Sequence, residues 1–123
     1  MEIKRGEIYM ICLDPVFGRE MGGFKLRPAA VVSIDDLHRE TQLVTVVPGT
    51  SNANRIFPNT VLVDPHAQNG LKSPTLFQCN QIRAVSNGRF TQRRIGLLSR
   101  SDIEKIESAV AFCLGLKLDF SDR

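Results

Sequence analysis

The segment Gly18-Arg-Glu-Met-Gly-Gly-Phe-Lys-Leu-Arg27-Pro28 is a basic, glycine-bearing loop that ends by entering a strand. Its glycines free the backbone to follow a ligand, and Arg27 sets a planar cation, suited to paired hydrogen bonds with a phosphate, at the loop's exit. If the apolar runs Pro28–Ile34 and Gln42–Val47 pair antiparallel through residues 35–41, Ile34 faces Gln42 and Arg27 lies opposite position 49. Thr50 and Ser51 are then its neighbours. A guanidinium and two hydroxyls would meet beside the basic loop, and a register slip of one or two residues leaves that meeting intact. Such a trio could stabilise negative charge developing on phosphorus oxygens. By spacing alone, an ordinary ion pair at Arg27 and a turn capped by Thr50-Ser51 is the commoner outcome.

Other groups are candidates for recognition. Phe17 and Phe24 on the same loop have no obvious core partner and could stack on unpaired bases, although phenylalanines more often fold back onto a core. Three amides, Gln78, Asn80 and Gln81, crowd an expected strand ahead of Arg83. A buried strand centre carries so many polar groups only when they bond each other or line a groove. His38, in a connection, and His66, after Asp64-Pro65, read as surface histidines rather than general bases. Cys12, Cys79 and Cys113 lack metal-ligand spacing, and no Walker loop, H-E-x-x-H or dinucleotide fingerprint occurs. Neither a metal nor a cofactor is expected.

The elements that must position these groups are mostly strands. Glu7–Leu13 alternates; Pro28–Ile34, Leu43–Val47 and Thr60–Val63 are apolar and β-branched; a longer strand covers about Thr75–Ala84. Pro48-Gly49 and Thr50–Asn54 read as a loop. Ser101-Asp-Ile-Glu104 has the form of a capping box, after which Ile103, Ile106, Val110, Cys113 and Leu114 recur at helical spacing until Gly115 stops the helix. Short strands with glycine- and proline-rich turns and a single terminal helix predict a mainly β fold, a small barrel or sandwich.

Composition sets the frame. With 123 residues, 42% of them hydrophobic and 24% charged, the chain suits one soluble globular domain spanning 1–123, large enough to need no disulfide or metal staple. The cysteine usage fits a reducing cytoplasm, and no signal peptide or membrane-length apolar run is visible. Net charge is +3, but five acids against three bases from Ser101 onward leave the first hundred residues at +5. Residues 81–100 hold Arg83, Arg89, Arg93, Arg94 and Arg100 without an acid, which reads equally as a phosphate-attracting patch or as a solvated face.

In order and spacing, several short pieces resemble the MazF/PemK family of bacterial toxins. They are Lys4-Arg-Gly-Glu-Ile-Tyr9, Leu13-Asp-Pro15, Gly18-Arg-Glu20, Arg27-Pro-Ala-Ala-Val-Val-Ser33, Val47-Pro-Gly-Thr-Ser51, Gly70-Leu71, Gln81-Ile-Arg83, Gly96-Leu97 and Leu114-Gly-Leu116. The resemblance implies a small SH3-like barrel with a C-terminal helix, usually a homodimer. It implies a metal-independent, sequence-selective endoribonuclease that cuts single-stranded mRNA to a 2′,3′-cyclic phosphate and a 5′-hydroxyl. An antitoxin, expected here to be small and acidic, would fill the RNA groove. The family's Arg-Pro arginine corresponds to Arg27 and its Thr-Ser hydroxyl to Thr50, with Ser51 beside it; these are the expected catalytic residues. Arg19, Glu20, Phe24, Lys25, Gln78, Asn80, Gln81 and Arg83 are the expected RNA contacts. Parts of the family carry an acid where this chain has Asn80, an arginine at Gln78 and a histidine at Arg19, and the Gly22–Leu26 stretch is about two residues longer than in the shortest members. An asparagine cannot usefully take a proton, so Glu20, a polarised water, or electrostatics and in-line positioning alone must serve. The same barrel also admits a gyrase-binding toxin of the CcdB type, without nuclease chemistry, or a catalytically inactive RNA-binding relative.

Overall fold

The computed structural model describes residues 2–23, 25–52 and 56–117. The strands are β1 (Glu7–Ile11), β2 (Arg27–Val31), β3 (Leu43–Thr50), β4 (Thr60–Val63), β5 (Thr75–Gln78), β6 (Arg83–Ser86) and β7 (Gly96–Leu97). Helix α1 (Asp35–Thr41) joins β2 to β3, and α2 (Arg100–Leu114) follows β7. Across the sheet the order is β4-β5-β3-β2-β1-β7, with β6 also paired to β3, and every pairing is antiparallel.

Successive residues of a strand point to opposite faces, and here both faces are covered. Ile8, Ala30, Val47 and Phe77 turn towards α2, where Ile106 and Ala109 meet them. Tyr9, Ile11, Ala29, Val31 and Val46 turn the other way, onto Val85 and Phe90. Double burial explains why β2 and β3 read as continuous apolar runs rather than as polar–apolar alternation. The architecture is mainly β with a C-terminal helix, as expected of an SH3-like barrel.

One buried charge organises the β1 end. The Glu7 carboxylate accepts the Lys4 N–H at 2.6 Å and the Tyr9 hydroxyl at 2.9 Å, and pairs with Arg94 at 3.0 Å. Burial, reinforced by the Glu7 carboxylate, raises the Tyr9 phenol above its ordinary pKa. The Tyr9 ring meets Phe90 edge to face at 5.0 Å.

The elements differ from expectation at several places. The connection 35–41 is not open chain but α1, so the terminal helix is not the only one. Asp35 and Asp36 suit its first turn and Arg39 its last. Seven residues are too few to show a periodicity. His38, expected at the surface, is buried on that helix, with Nε2 2.5 Å from the Ser33 hydroxyl and Nδ1 2.8 Å from the Ile3 carbonyl. Pro48-Gly49 is strand rather than loop: β3 pairs with β6 as far as Val46 and with β5 from Gly49, and Pro48, which has no N–H to donate, falls between the two partners. The span Thr75–Ala84 is broken by a 3₁₀ turn at Cys79–Gln81, the corner at which the chain passes from β5 to β6. Gly96–Leu97 pairs with β1 as a two-residue edge strand. Helix α2 is capped by Ser99, whose hydroxyl accepts the Asp102 N–H at 3.1 Å, and not by Ser101; Glu104 pairs with Arg100. Gly115 stops it in the left-handed conformation as expected, whereas Leu114 is exposed and Ala109 occupies the core.

Candidate active site

Arg27 is the first residue of β2, opposite Ile11 of β1. On the other side β2 meets β3 with Ala29 opposite Pro48. The same register carried two residues outward sets Arg27 opposite Thr50, one position beyond the expected 49. Arg27 Nε donates to the Gly22 carbonyl at 2.7 Å, which ties the guanidinium to the preceding loop; it makes no other hydrogen bond among the described residues. The Thr50 hydroxyl accepts the Asn52 N–H at 3.2 Å, so one lone pair is occupied and its proton remains available.

Arg27, Thr50 and Ser51 share a groove of about 700 Å³, which Lys25, Lys72, Ser73 and Gln92 also line. Among the described residues lining it there is no aspartate, glutamate or histidine. Three cations facing a concave, partly desolvated surface without a counter-charge make a focused positive potential. Gly49 forms part of its floor: a Cβ there would lie 2.6 Å from Thr75 Cγ2, so glycine is what lets β3 approach β5 closely at the end that carries Thr50.

A second cluster lies at the loop between β1 and β2. Gln81 accepts the Met21 N–H at 3.1 Å and donates to the Arg19 carbonyl at 3.2 Å, while Arg83 donates to Gln81 Oε1 at 3.2 Å. Arg89 donates to the carbonyls of Cys12 and Asp14, and Asp14 Oδ1 accepts the Gly23 N–H at 2.7 Å. The glycine loop is therefore tied down from both sides. Burial lowers the Arg83 pKa; the nearby Glu20 opposes that shift and Arg89 adds to it. The Glu20 carboxylate accepts the Phe17 N–H at 2.6 Å.

The sequence-predicted residues thus separate into groups. Lys25, Arg27, Thr50 and Ser51 come together in the groove. Arg19, Glu20, Gln81 and Arg83 gather around the loop cluster and do not line it. Gln78 ends β5 opposite Thr60, and Asn80 accepts a hydrogen bond from Asn59 at 2.8 Å. Phe17 is 88% exposed, and Phe24 lies outside the described residues. Of the arginines of 81–100, Arg83 and Arg89 serve the loop, Arg94 pairs with Glu7 and Arg100 with Glu104.

The family model described as PemK-like, MazF-like toxin of type II toxin-antitoxin system matches residues 4–114. The chain belongs to this family. Among relatives of this PemK/MazF-family protein, Endoribonuclease MazF9 of Mycobacterium tuberculosis is 34% identical over 119 residues, covering 93% of this chain and 98% of the relative. MazF from Deinococcus radiodurans has the same fold, with a TM-score of 0.81 at 21% identity over 94% of this chain and 99% of that one. So does a mycobacterial endoribonuclease solved in complex with its cognate antitoxin, with a TM-score of 0.74 at 23% identity over 95% and 99% of the two chains.

Sequence reading missed Lys72, Ser73 and Gln92 as groove residues of this family member. A signal for the first two was at hand, since both directly follow the Gly70-Leu71 piece. Gln92 had none. Among the described residues no group of three or more His, Cys, Asp or Glu side chains could hold a metal ion, and no helix is long and apolar enough to cross a membrane.

Proposed function

We propose that this PemK/MazF-family protein cuts single-stranded mRNA within its Arg27–Thr50 groove, by attack of a ribose 2′-hydroxyl on the adjoining phosphorus. The new O–P bond closes a 2′,3′-cyclic phosphate, the 5′-oxygen leaves and takes up a proton, and the 2′-hydroxyl proton passes to water. The observation that carries the reading is the convergence of Arg27, Thr50 and Ser51 in one groove whose described lining residues include cations and no acid. Arg27's unengaged guanidinium nitrogens are suited to the charge that builds on the non-bridging oxygens, and the Thr50 and Ser51 hydroxyls to positioning the phosphate. With no carboxylate or imidazole among the described residues lining the groove, catalysis rests on electrostatic stabilisation and in-line geometry rather than on a protein base. Lys25 holds a flanking phosphate, Arg19, Glu20, Gln78, Asn80, Gln81 and Arg83 contact the RNA where it leaves the groove, and Phe24 is a further RNA contact.

The groove's charge also suits an acidic antitoxin tail, and the mycobacterial relative named above was solved with its antitoxin. The chain acts as one domain in a homodimer in the cytoplasm, where mRNA is found. Family membership and its endoribonuclease relatives favour cleavage over gyrase binding.

The test is incubation of the full chain with a long single-stranded transcript in EDTA, with cut sites mapped by primer extension. Discrete cuts bearing 5′-hydroxyl ends, abolished by Arg27→Ala, are expected. Cutting by Arg27→Ala at the normal rate would remove Arg27 from the site. RNA that is bound but left intact would identify an inactive RNA-binding relative, and intact RNA alongside trapped gyrase–DNA complexes a gyrase poison.

A further inference from the structure

We propose that Lys72 is a second phosphate clamp in this groove, holding the phosphodiester next to the one that Arg27 engages; this rests on the RNA-cleaving reading above. Lys72 enters the groove from the β4–β5 connection, a different element from the β1–β2 loop that bears Lys25 and from β2, which begins with Arg27. No ion pair or hydrogen bond engages its side chain among the described residues.

The backbone beneath Lys72 is unusually well fixed for a connection. The buried Asn69 side chain accepts the N–H groups of His66 and Leu71, each at 3.0 Å, and donates to the Asp64 carbonyl at 2.9 Å. Gly70 is left-handed at φ +68°, and a Cβ on it would lie 2.0 Å from the Ile95 carbonyl oxygen, so the connection packs backbone against backbone. The Leu97 N–H donates to the Gln68 carbonyl at 2.8 Å, and Leu71 is buried. Lys72 therefore projects from an anchored base, and little backbone entropy is lost when its ammonium is engaged.

Charge balance supplies the rest. A single phosphodiester carries one negative charge, which Arg27 alone would neutralise. Lys25 and Lys72 then remain as like charges in the same groove, at a repulsive cost that only further anions relieve. Single-stranded RNA brings one such anion per nucleotide.

The experiment measures binding of a fluorescein-labelled, fully 2′-fluoro single-stranded RNA of random sequence, which lacks the attacking hydroxyl, as a function of salt. Removing one phosphate contact from a single strand should flatten the slope of log K against log[salt] by about 0.7. Lys72→Ala is expected to do so, Lys72→Arg to restore the slope, and Gln92→Ala, a neutral change in the same groove, to leave it unaltered. A wild-type slope in Lys72→Ala, or an equal flattening by Gln92→Ala, would overturn the proposal. If the unsubstituted protein neither binds this RNA nor cuts an unmodified transcript, the function itself has been misread and the clamp falls with it.

Discussion

Arg27 and Thr50 line one groove beyond the last β2–β3 pair, Ala29 with Pro48, and each is already held by main chain: Arg27 Nε by the Gly22 carbonyl, the Thr50 hydroxyl by the Asn52 N–H. One nitrogen of the guanidinium is spent on orientation, leaving its two terminal nitrogens for a phosphate. Lysine would keep the charge but could not make the anchoring bond and the paired contact together. Arg27→Lys should therefore cut RNA about a hundredfold or more slowly, close to Arg27→Ala, with thermal stability little changed. Single-turnover cleavage rates check this; near-normal cutting by the lysine variant would show that charge alone suffices.

At Thr50 the hydroxyl has two tasks, accepting from Asn52 and meeting the substrate. Thr50→Ser keeps both and should retain most of the activity. Thr50→Val leaves the Asn52 N–H without its partner, at a cost of about 1 kcal/mol in stability, and should also lose activity by far more than that stability change explains. Urea unfolding and cleavage rates on the same samples separate the two effects.

The pairing of β2 with β3, and with it the meeting of Arg27 and Thr50, was legible in the sequence because strand pairing is arithmetic once both partners are recognised. The one-residue error arose at the connection: seven residues taken as open chain are a helix closed by Gln42 in the left-handed conformation, and a connection of that kind sets its own offset. The broken strand at Cys79–Gln81 was illegible for a different reason. Leu76, Phe77 and Val85 are equally apolar on both sides of the break, and the corner is imposed by β3 changing partners, a tertiary fact without a local signature. Gln78, Asn80 and Gln81 stood out as an amide cluster because a corner and a loop junction need side-chain hydrogen bonds. Lys72 carried a weaker signal, its place directly after the Gly70-Leu71 piece, and only the fold shows that it faces the groove.

Two glycines with the same backbone conformation should respond differently to alanine. Gly70 and Gly18 are both left-handed, at φ +68° and +60°, but a Cβ on Gly70 meets the Ile95 carbonyl at 2.0 Å whereas one on Gly18 meets nothing within 4 Å. Gly18→Ala should cost about 1 kcal/mol, the conformational penalty alone. Gly70→Ala adds a backbone collision and should cost on the order of 2–4 kcal/mol, and it should weaken RNA binding by displacing Lys72. Equal costs in urea unfolding would mean that the connection swings away from Ile95 freely.

Cys79 should make the fold sensitive to alkali. Burial in the cluster beneath α2, with Cys113 nearby, pushes its thiol from 9.0 up to about 12. Between those values the unfolded chain has released the thiol proton and the folded chain has kept it, so unfolding becomes easier as pH rises; the stabilisation is whole below about 9 and is lost progressively towards 12. One proton corresponds to about 1.4 kcal/mol per pH unit at most. Tyr9, shifted in the same direction, adds to the loss above its own unfolded value, so the Cys79 share must be read as a difference. Cys79→Ala should be less stable than the parent near neutrality, because it leaves a small void, and the gap should narrow as pH rises above about 9. Urea unfolding of both proteins under reducing conditions, at about pH 7 and about pH 10, measures that gap; a gap that stays constant would mean the thiol ionises as readily in the core as in water.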